Sequence, residues 1–121
     1  MKLQLQVSKE NFYSKYYQTI NGILKLTNKE LAILVLLSNS KQLGTTDKEL
    51  FSSNSRKLIA ETLSISKFNL NNYIKSMKDR GIIIKQEKSL AINPAVYKDI
   101  SNTNLIDLIF TFNIIHEATT K

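Results

Sequence analysis

Residues 55–81 read SRKLIAETLSISKFNLNNYIKSMKDRG, and the organisation of the chain follows from this stretch. Ile59, Leu63, Leu70, Ile74 and Met77 recur at helical spacing, but the two sets cannot share one rod because Ser64-Ile65-Ser66 interrupts them. The spacing predicts a helix of about nine residues, Ser55 to Leu63, and a second helix from Lys67 to Arg80. Ser66 is placed to accept the free N–H groups of the second helix. Gly81 falls where a helix ends in the left-handed region, which glycine enters without a Cβ penalty. Ala60 is the small residue that a tight corner between two helices requires, and Ile59, Leu63, Ile65, Leu70, Tyr73 and Ile74 fill the apolar positions around it. Ser64 stands where such turns often carry glycine.

Beyond Gly81, the β-branched run Ile82-Ile83-Ile84 reads as a strand, Lys85-Gln86-Glu87-Lys88 as a polar turn, and Ser89 to Ile92 as a returning strand that Asn93-Pro94 ends. Before the corner, Thr27-Asn28-Lys29-Glu30 has the form of a capping box. The helix it opens, Leu31 to Leu37, is apolar nearly all round and reads as the buried spine, with Ser38-Asn39-Ser40 as its end. Residues 40–53 are a polar connection in which Leu50-Phe51 returns to the core, with a short strand as the expectation. Upstream, Ser8 can cap a helix starting at Lys9 and carrying Phe12, Tyr16, Ile20 and Ile23, widened by Tyr13 and Tyr17. Asn21-Gly22 marks a point where that helix can break or end.

The two ends alternate with a period of two. Leu3, Leu5 and Val7 are interleaved with Gln4 and Gln6. Ile106, Leu108, Phe110, Phe112 and Ile114 share one side of a second segment, with Asp107, Ile109, Thr111 and Asn113 on the other. The second segment is also compatible with a helix, but five-in-five alternation with β-branched and aromatic residues favours a strand, so both segments are expected to be strands, paired within one chain or between two chains.

The order of helix, short segment, helix, second helix and hairpin over residues 27–94 resembles the winged helix-turn-helix superfamily of bacterial and phage DNA-binding proteins. More narrowly, residues 66–81, together with Ile92-Asn93-Pro94 after the hairpin, look like the small winged-helix proteins of tailed bacteriophages. The expected fold is therefore mainly α with a small β component, a winged helix-turn-helix with additional N- and C-terminal strands. It is read as one domain over residues 1–121, with the core at 27–94 and extensions at 1–26 and 95–121 that offer an oligomer interface.

In that architecture the second helix presents its outward side to the major groove. With Leu70, Ile74 and Met77 inward, Asn69, Asn72, Lys75 and Ser76 lie outward. Asparagine can bond bidentately to adenine, and lysine can reach guanine or a phosphate. Lys67 at the helix start and Lys85 and Lys88 in the hairpin are phosphate contacts in this reading. Residues 54–88 carry 8 basic and 3 acidic side chains, so +5 of the whole chain's +7 gathers there. A basic balance of this size points to polyanionic partners. Part of it is vocabulary, since the 15 lysines against 2 arginines are what an AT-rich coding genome produces, and an Asn/Lys face is also what a merely solvated helix shows.

Other classes are disfavoured by what the sequence contains. The 121 residues include no cysteine, which removes disulfides and thiolate zinc sites. No apolar run is long enough to span a bilayer, and the first residues lack the apolar core of a signal peptide. His116 is the sole histidine and reads as a surface residue. Glu10, Glu30 and Glu61 read as helix-surface carboxylates, and no phosphate loop or nucleophile–base arrangement is present, so neither an enzyme nor a cofactor is expected. Tyr13, Tyr16 and Tyr17 could stack on bases, but their helical spacing fits a core or interface better. The expected partner is double-stranded DNA, with self-association through the terminal strands. The alternative is a virion or packaging component that uses the same module against other virion proteins. The expected location is the cytoplasm, that of the host for a phage protein, or the particle under the alternative.

Overall fold

The computed structural model describes residues 3–116; residues 1–2 and 117–121, the outermost parts of the two expected extensions, lie outside the described residues. The described chain is mainly helical and carries one two-stranded antiparallel sheet. A single 3-10 turn, Lys9–Asn11, leads into α1 (Phe12–Leu24), followed by α2 (Asn28–Gln42), the short α3 (Asp47–Leu50), α4 (Ser53–Leu63), α5 (Lys67–Asp79), β1 (Ile83–Gln86) and β2 (Ser89–Ile92).

Helix α1 runs unbroken through Asn21-Gly22. A mid-helix glycine costs about 1 kcal/mol relative to alanine. Burial of Tyr13, Tyr16 and Tyr17 on one face of α1 outweighs it. Asn21 instead finishes the helix: its side-chain oxygen accepts from the Leu26 N–H at 2.8 Å and its amide donates to the Leu26 carbonyl at 3.1 Å. The Thr27/Glu30 capping box forms, with the Glu30 N–H donating to Thr27 Oγ1 at 3.2 Å and the Thr27 N–H to Glu30 Oε1 at 3.0 Å.

Helix α2 continues past Ser38-Asn39-Ser40, where the sequence suggested a stop. The reason is non-local. Ser38 is fully buried and its hydroxyl shares a 2.6 Å hydrogen bond with the Tyr17 hydroxyl, so a residue that would favour a cap is satisfied inside the bundle. The connection after α2 also differs from expectation. Leu50 and Phe51 are buried as their apolar character demands, but Leu50 closes α3 rather than forming a strand; Thr46 caps this turn by accepting from the Glu49 N–H, and α3 packs against β2.

The corner between α4 and α5 is built by three serines, one of them in the αL conformation. Ser52 accepts from the Ser55 N–H at 3.3 Å to start α4, and Ser66 accepts from the Asn69 N–H at 3.0 Å to start α5. Ser64 turns the chain with φ 54° and ψ 44°, and the Ile65 N–H returns to the Ala60 carbonyl at 3.0 Å. Ala60 and Ile59 are buried, Leu63 and Ile65 half-buried. Leu70, Ile74 and Met77 anchor α5 in the core. Each contributes about 2 kcal/mol through burial. Gly81 follows with φ +78°, and the Ile82 N–H bonds to the Met77 carbonyl at 3.0 Å. The hairpin pairs Ile83 with Ile92 and Gln86 with Ser89, leaving Glu87 and Lys88 at the tip.

After β2 the chain crosses back over α1. Tyr16 donates to the Val96 carbonyl at 3.0 Å and Tyr13 to the Lys98 carbonyl at 2.6 Å. The single Tyr13 phenolic proton is shared between that carbonyl and Gln42 Oε1, also at 2.6 Å, and Gln42 Oε1 accepts further from the Tyr97 hydroxyl (2.9 Å) and the Ile100 N–H (3.2 Å). Its amide donates to Ser101 Oγ at 2.7 Å.

The expected N- and C-terminal strands are not formed among the described residues. Residues 3–8 and 105–116 have no regular secondary structure; Leu3, Leu5, Phe112 and Ile114 are exposed, and of the second segment only Ile106 and Leu108 are partly covered. A period of two specifies a strand only when a neighbouring strand supplies the ladder, and the sheet of the described residues consists of β1 and β2 alone.

Candidate nucleic-acid interface

Helix α5 buries one side and exposes the other. Opposite Leu70, Ile74 and Met77, the outward line follows i, i+4, i+7 and i+11 spacing: Phe68, Asn72, Lys75 and Asp79, all exposed. Asn69 and Ser76 flank this line on one side and Lys67 and Lys78 on the other, and each of these is exposed. Lys85 at the end of β1 and Lys88 at the hairpin tip are exposed as well. All seven positions singled out from the sequence, Lys67, Asn69, Asn72, Lys75, Ser76, Lys85 and Lys88, therefore lie at the surface of two consecutive elements. The hairpin is tied to the end of α5 by the Asn93 side chain, which donates to the Gly81 carbonyl at 2.9 Å, and by packing of β1 on α5.

Both arginines are structural rather than part of the outward face. Arg56 Nε donates to the Phe51 carbonyl at 2.9 Å and its Nη1 to Asn71 Oδ1 at 2.8 Å, which fastens the start of α4 to α5. Arg80 reaches back to the Leu24 carbonyl and lies 3.9 Å from Glu30. Glu30 consequently departs from its reading as a surface carboxylate: it is 3% exposed, held by the capping box and faced by the Arg80 guanidinium. A buried carboxylate needs such partners because desolvation otherwise penalises its charge. The ion pairs among the described residues are Arg80–Glu30 and Lys41–Asp47, so none involves a lysine of α5 or the hairpin. Asp79 and Glu87 are exposed within the same region and lower its positive potential locally.

The three tyrosines of α1 are not a base-stacking surface. Their rings pack together, Tyr16 against Tyr17 at 5.1 Å between centroids, and Tyr13 stacks on Tyr97 at 5.5 Å. Burial pushes the phenols of Tyr13, Tyr16 and Tyr17 above the ordinary tyrosine range; for Tyr17 the hydrogen bond with Ser38 works in the opposite direction and is outweighed. His116 is exposed.

The surface of the described residues has shallow hollows. One, of about 280 Å³, is lined by Ser14, Gln18, Leu31, Val35, Leu36 and Leu63, a set without an ionisable group. Another, of about 570 Å³, lies beside Lys9, Glu10, Tyr13 and Gln42. Among the described residues, no three His, Cys, Asp or Glu side chains gather as a metal site would require, and no helix is long and apolar enough to cross a membrane.

Phe68 carries no role in a reading of the sequence by polar and apolar pattern, yet it is 73% exposed at the head of the outward line. Its signal was positional: it lies four residues before Asn72 and seven before Lys75. The Arg56–Asn71 bond and the Gln42 clasp leave no local signal, since each joins residues far apart in the chain.

The described residues thus define a mainly helical protein with a small antiparallel hairpin, whose lysine- and asparagine-bearing surface spans α5 and that hairpin. Comparison of the chain with protein-family models, with curated proteins and with solved structures found no match.

Proposed function

We propose that this is a winged-helix protein that binds double-stranded DNA, acting as a transcriptional regulator of bacterial or phage type. The observation that carries the reading is the outward face of α5: Asn69, Asn72, Lys75 and Ser76 are exposed together, and no lysine of α5 or the hairpin enters an ion pair among the described residues. In this role Asn72 and Lys75 meet base edges, with Asn69 and Ser76 beside them, while Lys67, Lys85 and Lys88 meet phosphates. Such a function requires neither catalysis nor a cofactor, and it operates in the cytoplasm, that of the host if a phage encodes the protein. The test is a salt titration of binding to duplex DNA. Phosphate contacts release counterions, so affinity must fall steeply as salt rises; a flat response removes the proposal.

A second reading is supported by one specific observation. Leu3, Leu5, Ile109, Phe112, Ile114 and Ile115 are all more than 60% exposed on two segments with strand-like alternation. Exposed apolar residues concentrated in this way suit self-association or docking on other proteins of an assembly, as in a virion component. Abundance of the protein in purified phage particles favours this reading, and its absence from them rejects it.

A further inference from the structure

Ile23 on α1 and Leu58 on α4 are exposed apolar side chains of regular helices, as Phe68 is on α5, but among the described residues Phe68 is the exposed aromatic one: Phe110 and Phe112 lie in an irregular segment, whereas Phe68 sits in the first turn of a helix whose Leu70, Ile74 and Met77 are buried. Nothing local requires an aromatic ring there. Ser66 caps the helix, and phenylalanine is a weaker helix former than the polar straight-chain residues that would suit an exposed site. The ring makes no aromatic pair among the described residues, and it leads the line continued by Asn72 and Lys75.

We infer that Phe68 is a specificity-determining residue whose ring packs on the 5-methyl group of a thymine in the major groove. The inference rests on the DNA-binding reading above. The methyl is the apolar feature that the major-groove edge of a T·A pair presents, and an aromatic side chain can contact it. The first turn of a recognition helix is also the part that approaches base edges. Phe68 and Asn72 are separated by four residues, about 6 Å along the helix axis. That distance is less than two steps of about 3.4 Å along a DNA strand. The thymine met by Phe68 therefore lies within two base pairs of the adenine read by Asn72, on a site that combines the two.

The experiment uses the full chain and a random duplex pool. Bound sequences are selected, and the recovered duplex is resynthesised with deoxyuridine replacing thymidine at one position at a time, which removes only the methyl. One position is expected to weaken wild-type binding about three- to five-fold, the value of one buried methyl-sized group. Phe68→Ala should bind the thymine and uracil versions of that duplex equally, and Phe68→Leu should retain part of the difference. Asn72→Ala should keep the thymine preference but relax the choice of base within two pairs of it. Because Phe68 and Asn72 are exposed, thermal unfolding of these variants should match the wild type. Wild-type protein that binds the selected duplex with a steep salt dependence but ignores every uracil overturns the inference and leaves the DNA-binding reading in place. A thymine preference that survives in Phe68→Ala overturns it equally. Failure to select any sequence, together with binding insensitive to salt, overturns both.

Discussion

The charge on α5 and the hairpin can be separated from the charge of the chain as a whole. Consider the triple variant Lys67→Ala, Lys85→Ala, Lys88→Ala beside a control, Lys9→Ala, Lys15→Ala, Lys48→Ala. All six lysines are exposed, and each triple lowers the net charge of +7 by the same amount. Each neutralised phosphate contributes about 0.9 to the slope of log affinity against log salt. Loss of three contacts should therefore flatten the slope by about 2.7. Over the fourfold rise from about 50 to about 200 mM salt, the site triple should lose about forty-fold less affinity than wild type. The control should retain most of the wild-type slope, since its lysines lie on the 3-10 turn, α1 and α3. Fluorescence anisotropy of a labelled duplex across a salt series measures both. Exposed substitutions usually change stability by no more than about 0.5 kcal/mol each, and both triples carry three of them, so thermal unfolding of the two should be alike and folding does not confound the comparison. Equal flattening in the two triples would refute the reasoning, because it would mean that overall charge, not its placement, drives binding.

Three further outcomes are expected. Ser64 holds φ 54° without being glycine, whereas Gly81 uses its freedom at φ +78° with no atom within 4 Å of where a Cβ would stand; Ser64→Gly should stabilise and Gly81→Ala destabilise, each by about 1 kcal/mol in urea unfolding. Opposite signs at both sites would contradict the assigned backbone. Tyr17→Phe strands the buried Ser38 hydroxyl and should cost about 1–3 kcal/mol, while Tyr17→Phe with Ser38→Ala should recover part of the loss; no recovery would mean that the hydroxyl pair is not the cause. Tyr13, Tyr16 and Tyr17 have phenols raised above their unfolded value. Their contribution is complete below the unfolded phenol pKa of about 10 and disappears as pH rises above it. Denaturant midpoints should therefore fall between about pH 9 and about pH 11, and a midpoint constant over that window would argue against burial of these phenols.

What could be read from the sequence was what the sequence encodes locally. The α4–α5 corner needs only cap serines, an αL residue and apolar spacing, all within residues 52–81, and the expected second helix, 67–80, differs from α5 by a single residue. The outward positions of α5 followed from helix periodicity once Leu70, Ile74 and Met77 were assigned inward. The misreadings share a non-local cause. Helix α2 passes its serines because of Tyr17, 21 residues away from Ser38. Glu30 goes inside because Arg80 comes back to it. Arg56 counted toward a DNA footprint by position, yet its guanidinium is committed to Phe51 and Asn71. Phe68 escaped notice for the reverse reason, since apolar type normally signals a core position and here does not.

The terminal segments follow the same logic further. Alternation assigns each side chain to one of two faces, but a strand also needs a neighbour for its N–H and C=O groups, and among the described residues β1 and β2 pair only with each other. What the fold does fix is where the C-terminal segment leaves the body. Tyr13, Tyr16 and Gln42 strap residues 96–101 across α1 and α2, with Ile100 buried at the last fastening. None of these residues belongs to α5 or the hairpin. The two proposed surfaces therefore draw on separate anchors. DNA contact through α5 and association through the terminal segments, as proposed, use different side chains, so neither proposal excludes the other.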